Sequence, residues 1–307
     1  MEASASMVNS TLNPTHDRID EDLSEIDGGE MMNAESIRFN NQKIIKKDEA
    51  YQLKIKELEK IEKFLSDFGF LSFGRDYIVC QKCIFSLQLI LNALELTSGS
   101  IIDCCSAGCL ADANTLLRKY MDDMFFYLYI STYDANKKLN LSHEKTNKAE
   151  ENILKWMNNN LSDLKIGFVL KEIALSPHTR EAVQKYNLHK FFDQINERLN
   201  NYVHSNGIRY YNQNIMFYQK NELKEQLNYL VEDMRFITVT FLFLLTLCSP
   251  LSIMSTDYIE YLDNNTTPPE GSQYLVAPFI ADFFKENKRL INDKCLKFLQ
   301  ENTSMVI

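Results

Sequence analysis

Three side chains near the end of one amphipathic stretch, Arg198, Asn201 and His204, are of types that could do acid–base and anion-binding chemistry. An imidazole titrates near neutrality and can take or give a proton. A guanidinium offers a planar fork of donors suited to phosphoryl oxygens, and an amide can orient either group. Asn200 and Arg118 are the supporting candidates. Arg118 stands just before the apolar run Met121 to Ile130, where a buried cation is costly unless paired, and Asp122 lies four residues on. The same residues also make an ordinary polar helix end. In that reading His204 bonds last-turn carbonyls, Arg198 pairs near Glu197 or Asp193 on the surface, and the cations simply suit the helix dipole.

The element that must position them runs from Ser176 to Gly207 and reads as one helix. Ser176 followed by Pro177 suits an N-cap and first helical position, and Gly207 suits the left-handed residue that closes a helix. Ala182, Tyr186, Ile195, Leu199 and Tyr202 form its apolar stripe. Six residues amount to about 600° of helical rotation, so Arg198 and His204 are roughly 120° apart. One helix does not aim both at one phosphate, whereas two facing copies would.

Around this stretch the chain reads as all-α, a multi-helix bundle with extra N- and C-terminal helices, because no segment sustains period-two alternation. Residues 1–33 hold eight acidic side chains and one arginine, few aromatics and a Gly28-Gly29 pair, which predicts a disordered acidic tail. Residues 34–74 predict a long amphipathic helix, and 75–307 a single helical domain. Within it the patterns predict helices over 75–97, 100–133, 222–249 and 274–301, with Gly99 and Pro250 as breaks. From Phe236 to Thr256 no charge occurs. Pro250 shortens the apolar part to about 14 residues, so a core helix is expected rather than a membrane span.

Of the 307 residues, 45% are apolar and 24% charged, a composition able to build a large core. The net charge of −9 is concentrated in the first 33 residues, which carry −7. The rest is nearly neutral, so a polyanionic partner such as RNA is not excluded. Seven cysteines without a signal-peptide pattern at the start predict free thiols in a reducing, cytoplasmic setting. Cys80-x2-Cys83 and Cys105-x3-Cys109 resemble zinc-knuckle pairs, but both lie in apolar helical patterns and read as packing, so no metal or cofactor is expected. No P-loop, dinucleotide fingerprint, zincin motif or nucleophile elbow is present.

The spacing Arg198-x5-His204 near a helix C-terminus resembles the motif of the HEPN superfamily (higher eukaryotes and prokaryotes nucleotide-binding) over about residues 75–250. The family's polar residue after the arginine is Leu199 here, and Asn200 and Asn201 are the polar neighbours. The resemblance implies an all-α core and a metal-independent ribonuclease of a toxin or phage-defence system. It implies catalysis by His204 and Arg198 with Asn201, an RNA substrate, and a homodimer joined through the 176–207 helix. A regulatory protein partner would suit such a system. The other readings are a non-catalytic helical interaction or nucleotide-binding module, and a membrane-associated effector using residues 236–256.

Overall fold

The computed structural model describes residues 33–73, 75, 77–80, 83–139, 148–158, 160, 166–207, 210 and 222–307. The expected acidic tail, except for Asn33, lies outside them. Twelve α-helices and one short hairpin make up the described chain, an all-α multi-helix bundle.

The first amphipathic segment is two helices, α1 (Ala34–Ile45) and α2 (Glu49–Leu71), not one. The break is a cap. Asp48 is extended, and its carboxylate accepts from the Tyr51 N–H at 3.1 Å, which starts α2 afresh. Residues 75–97 are likewise not one helix. Tyr77–Cys80 (β1) pairs antiparallel with Cys83–Ser86 (β2), with Cys80 opposite Cys83. The β-branched and aromatic content of these two runs favours a pleated pair.

Helix α3 (Gln88–Ser106) runs straight through Gly99, where a Cβ would come within 2.8 Å of Glu62 Oε1. Gly99 is therefore a close-approach residue inside a helix rather than a break. The break falls at Gly108, at φ +77, after which α4 (Leu110–Leu139) begins. There the Gly108 N–H donates to the Cys105 carbonyl at 3.0 Å and the Cys109 N–H to the Cys104 carbonyl at 2.8 Å. These are the 5→2 and 6→1 bonds of a left-handed helix closure. The corner is held under α1 and α2. A Cβ on Gly108 would lie 3.2 Å from Ile45 Cδ1, and the Tyr51 hydroxyl donates to the Cys105 carbonyl at 2.8 Å.

Next come α5 (Lys148–Met157), α6 (Ile166–Leu175), α7 (Arg180–Lys185) and α8 (Leu188–Val203). The expected helix from 176 to 207 is thus interrupted. Ser176 and Pro177 form a turn, Thr179 precedes α7, and Asn187 at φ 54 separates α7 from α8. Asparagine tolerates the left-handed region, which makes it a natural place to turn. Helix α9 (Glu222–Cys248) ends, as its sequence predicts, before the Pro250–Ile253 turn. Among the described residues no helix is long and apolar enough to cross a membrane. The remaining helices are α10 (Asp257–Asp263), α11 (Pro278–Glu286) and α12 (Asp293–Thr303). The last two replace the single closing helix expected over 274–301. Asn292 caps α12 by accepting from the Lys294 N–H at 3.0 Å, and so separates it from α11.

At the centre α4 packs on α3, α6, α8 and α9, while α2 packs on α3 and α9. From Met124 to Tyr133 every residue of α4 is buried, so a helix apolar on nearly all sides is enclosed by neighbours. One of its hydroxyls bonds across to a neighbouring helix. Tyr120 and Thr238, both buried, share a hydrogen bond of 2.8 Å between α4 and α9.

Candidate functional site

Helix α8 buries Leu188, Phe192, Ile195, Leu199 and Tyr202 and sets its polar residues on the flanks of that stripe. The stripe is anchored by aromatic contacts. Phe192 meets Phe125 of α4 edge-on at 4.4 Å, and both Phe191 and Phe192 meet Phe236 of α9. With α8 fixed against α4 and α9, its flanking residues Asn200 and Arg198 meet polar groups on those two helices.

Toward α4, Arg118 donates through Nη1 to Asn200 Oδ1 and through Nε to Asp122 Oδ1 at 3.0 Å. The local Arg118–Asp122 pair is the one the four-residue spacing predicts, and the bond to Asn200 is added by tertiary packing. Burial pushes the Asp122 carboxyl above its ordinary value, and the adjacent Arg118 guanidinium partly offsets this. Toward α9, the Arg198 guanidinium is ion-paired with Asp233. Burial pulls the Arg198 guanidinium below its ordinary value, and the nearby Tyr202 and Tyr229 oppose that pull. The expected surface partners, Glu197 or the neighbourhood of Asp193, are thereby replaced by an acid 35 residues away. Arginine stays charged under these conditions, so the pair remains ionic.

At the end of the helix the closure differs from the expected one. The residue directly after the cap is Ser205, at φ 48, and Gly207, at φ 122, lies two residues further on. The Ser205 N–H donates to the Tyr202 carbonyl at 3.2 Å and the Asn206 N–H to the Asn201 carbonyl at 3.0 Å. The Asn201 side chain belongs to this closure, since its Oδ1 accepts from Asn206 Nδ2 at 3.2 Å. His204 is the C-cap residue and is exposed. Its backbone N–H donates to the Asn200 carbonyl, and among the described residues no group bonds its imidazole. Beyond it, Tyr210 packs edge-on against Tyr202 at 4.7 Å.

The structure therefore brings Arg118 and Asn200 together, ties Arg198 to α9, ties Asn201 to the helix end, and leaves the His204 ring in solvent. Sequence reasoning missed Asp233. The signal was present, because Asp233 sits between Leu230 and Ile237 on the apolar face of α9, and a carboxylate there requires a cation. The available chemistry is proton transfer by an exposed imidazole, beside two arginines that are already paired with Asp122 and Asp233. Among the described residues no His, Cys, Asp and Glu cluster has the arrangement to hold a metal ion. Cys80 and Cys83 face one another across the hairpin, whereas Cys105 and Cys109 lie at and just beyond the C-terminal end of α3. No protein-family model, curated protein or solved structure matches the chain.

Proposed function

We propose that the protein is a HEPN-like, metal-independent endoribonuclease of a toxin or phage-defence type, acting in the cytoplasm as a homodimer through the α7–α8 region. The observation that supports it is the solvent-facing imidazole of His204 closing the helix that carries Arg198, with Arg118 held to that helix by Asn200. In this reading His204 takes the 2′-hydroxyl proton of RNA, the freed oxygen attacks the adjacent phosphate, and the arginines balance the charge that builds on the phosphoryl oxygens. Asn201 keeps the helix end in register. A second copy supplies the facing half, since about 120° of helix separates Arg198 from His204.

The deciding experiment is RNA cleavage in the presence of a chelator. Wild type should cut RNA and leave DNA, which lacks the 2′-hydroxyl, intact. His204→Ala should lose at least about 100-fold in rate. Equal cleavage by wild type and His204→Ala would end the reading. A second reading is favoured by the Arg198–Asp233 pair, which commits the arginine to the interior of the fold. On that reading the chain is a non-catalytic helical binding module. It predicts no cleavage by either form and equal partner binding by both.

A further inference from the structure

The α3–α4 corner places two thiols at the paired positions of a helix closure. In such a closure the residue three before the cap and the second residue after it lie on the same side of the turn, where their side chains frequently pack together. Here those residues are Cys104 and Cys109. The 2.8 Å bond from the Cys109 N–H to the Cys104 carbonyl also limits the backbone separation. With standard bond lengths, the two Cα atoms can be at most about 6.7 Å apart. That is inside the span a disulfide bridges without backbone movement. Among the cysteines with described side chains, these two alone are half-exposed, while Cys105, Cys248 and Cys295 are buried.

We propose that Cys104 and Cys109 form a reversible disulfide when the protein meets a peroxide-class oxidant. One thiolate attacks a peroxide oxygen, the O–O bond breaks, and a sulfenic acid forms as the first water leaves. The second thiol attacks that sulfur, the S–S bond forms, the S–O bond breaks, and the hydroxyl departs with the thiol's proton as a second water. Two thiols lose two electrons and two protons, and one peroxide becomes two waters. Burial pushes both thiols above their ordinary value, Asp112 adds to this, and Arg38 of α1 opposes it. The pair is therefore a slow sensor whose oxidation quickens as pH rises.

The test uses the full chain. Folded protein is exposed to excess hydrogen peroxide, denatured, alkylated, and cleaved after acidic residues to release the fragment from Cys104 to Asp112. The expected fragment is lighter by two hydrogens, carries one alkyl group on Cys105, and reverts with dithiothreitol. Cys104→Ser and Cys109→Ser should each abolish that loss, and Cys105→Ala should retain it. Full alkylation of Cys104 and Cys109, separate oxygenation of each, or a loss that survives Cys104→Ser would overturn the proposal. Should Cys105→Ala fail to fold, fragment-ion sequencing of the wild-type peptide locates the linkage and decides the same question.

Discussion

The ends of α3 and α8 close with the same pair of backbone bonds, yet they are built from different residues for different surroundings. At the α3 end the left-handed residue is Gly108, wedged beneath Ile45 and Asn41. At the α8 end it is Ser205, exposed. A side chain in the left-handed region costs roughly 1–2 kcal/mol. Where the corner is packed, that cost would add to a steric one, and glycine is required. Where the residue is exposed, serine carries the backbone strain with no steric cost added. The paired side chains differ in the same sense. Asn201 and Asn206 satisfy one another in water, while Cys104 and Cys109 lie half-covered beside α1. One closure is a structural hinge pin, and the other leaves the tip of a helix accessible with an imidazole on it.

The largest expected effect breaks the packed corner. Gly108→Val should lower stability by about 3 kcal/mol, combining the backbone cost with overpacking against Ile45, and urea denaturation would read it as a lower midpoint. A midpoint unchanged by this substitution would contradict the wedge. The exposed end is secured from the side rather than from above, so removing its lateral tie comes next. Asp233→Ala should cost about 2 kcal/mol, below the range for a fully buried pair because Arg198 keeps 29% side-chain exposure. At the tip itself the sign reverses. Ser205→Gly should stabilise by about 0.5–1 kcal/mol, the strain relief being trimmed by the greater freedom of glycine in the unfolded chain.

The smallest effect involves neither end and so serves as a reference for both. Burial pushes the Glu57 carboxyl up, but hydrogen bonds from Arg235 and Lys54 outweigh it and hold it below its ordinary value. A lowered carboxyl contributes stability above the unfolded pKa and loses it as pH falls through the folded one. Acid titration followed by circular dichroism should therefore show part of the stability lost below about pH 4.5, and Glu57→Gln should flatten that limb. Neither helix end should respond to that substitution.

Much of this architecture is legible in local pattern. The uncharged run of α9, its stop at Pro250 and the encircling apolarity of α4 are properties of contiguous residues, and so is the Arg118–Asp122 spacing. What was not legible depends on neighbours far along the chain. Gly99 and Gly108 look alike as letters. The first lies inside a continuous helix, where the approach of Glu62 leaves no room for a side chain, and only the left-handed φ makes the second a corner. The breaks at Asp48 and Asn187 rest on polar residues that also occur inside helices. At the candidate site, the arginine, amide and imidazole types were readable. Their partners were not, because Asn200 meets Arg118 across 82 residues and Arg198 meets Asp233 across 35.

The hydrogen bond between Tyr120 and Thr238 joins side chains 118 residues apart, in the two longest helices of the described chain. Neither α4 nor α9 has enough apolar cover from its own half of the sequence, because each lends the other a face. The protein is thus a candidate for splitting. Were the chain divided between α4 and α5, each piece would expose the face of a long helix, and Tyr120 would lose its partner Thr238, whose hydroxyl keeps its bond to the Met234 carbonyl. The two pieces would find one another by restoring the same buried bond.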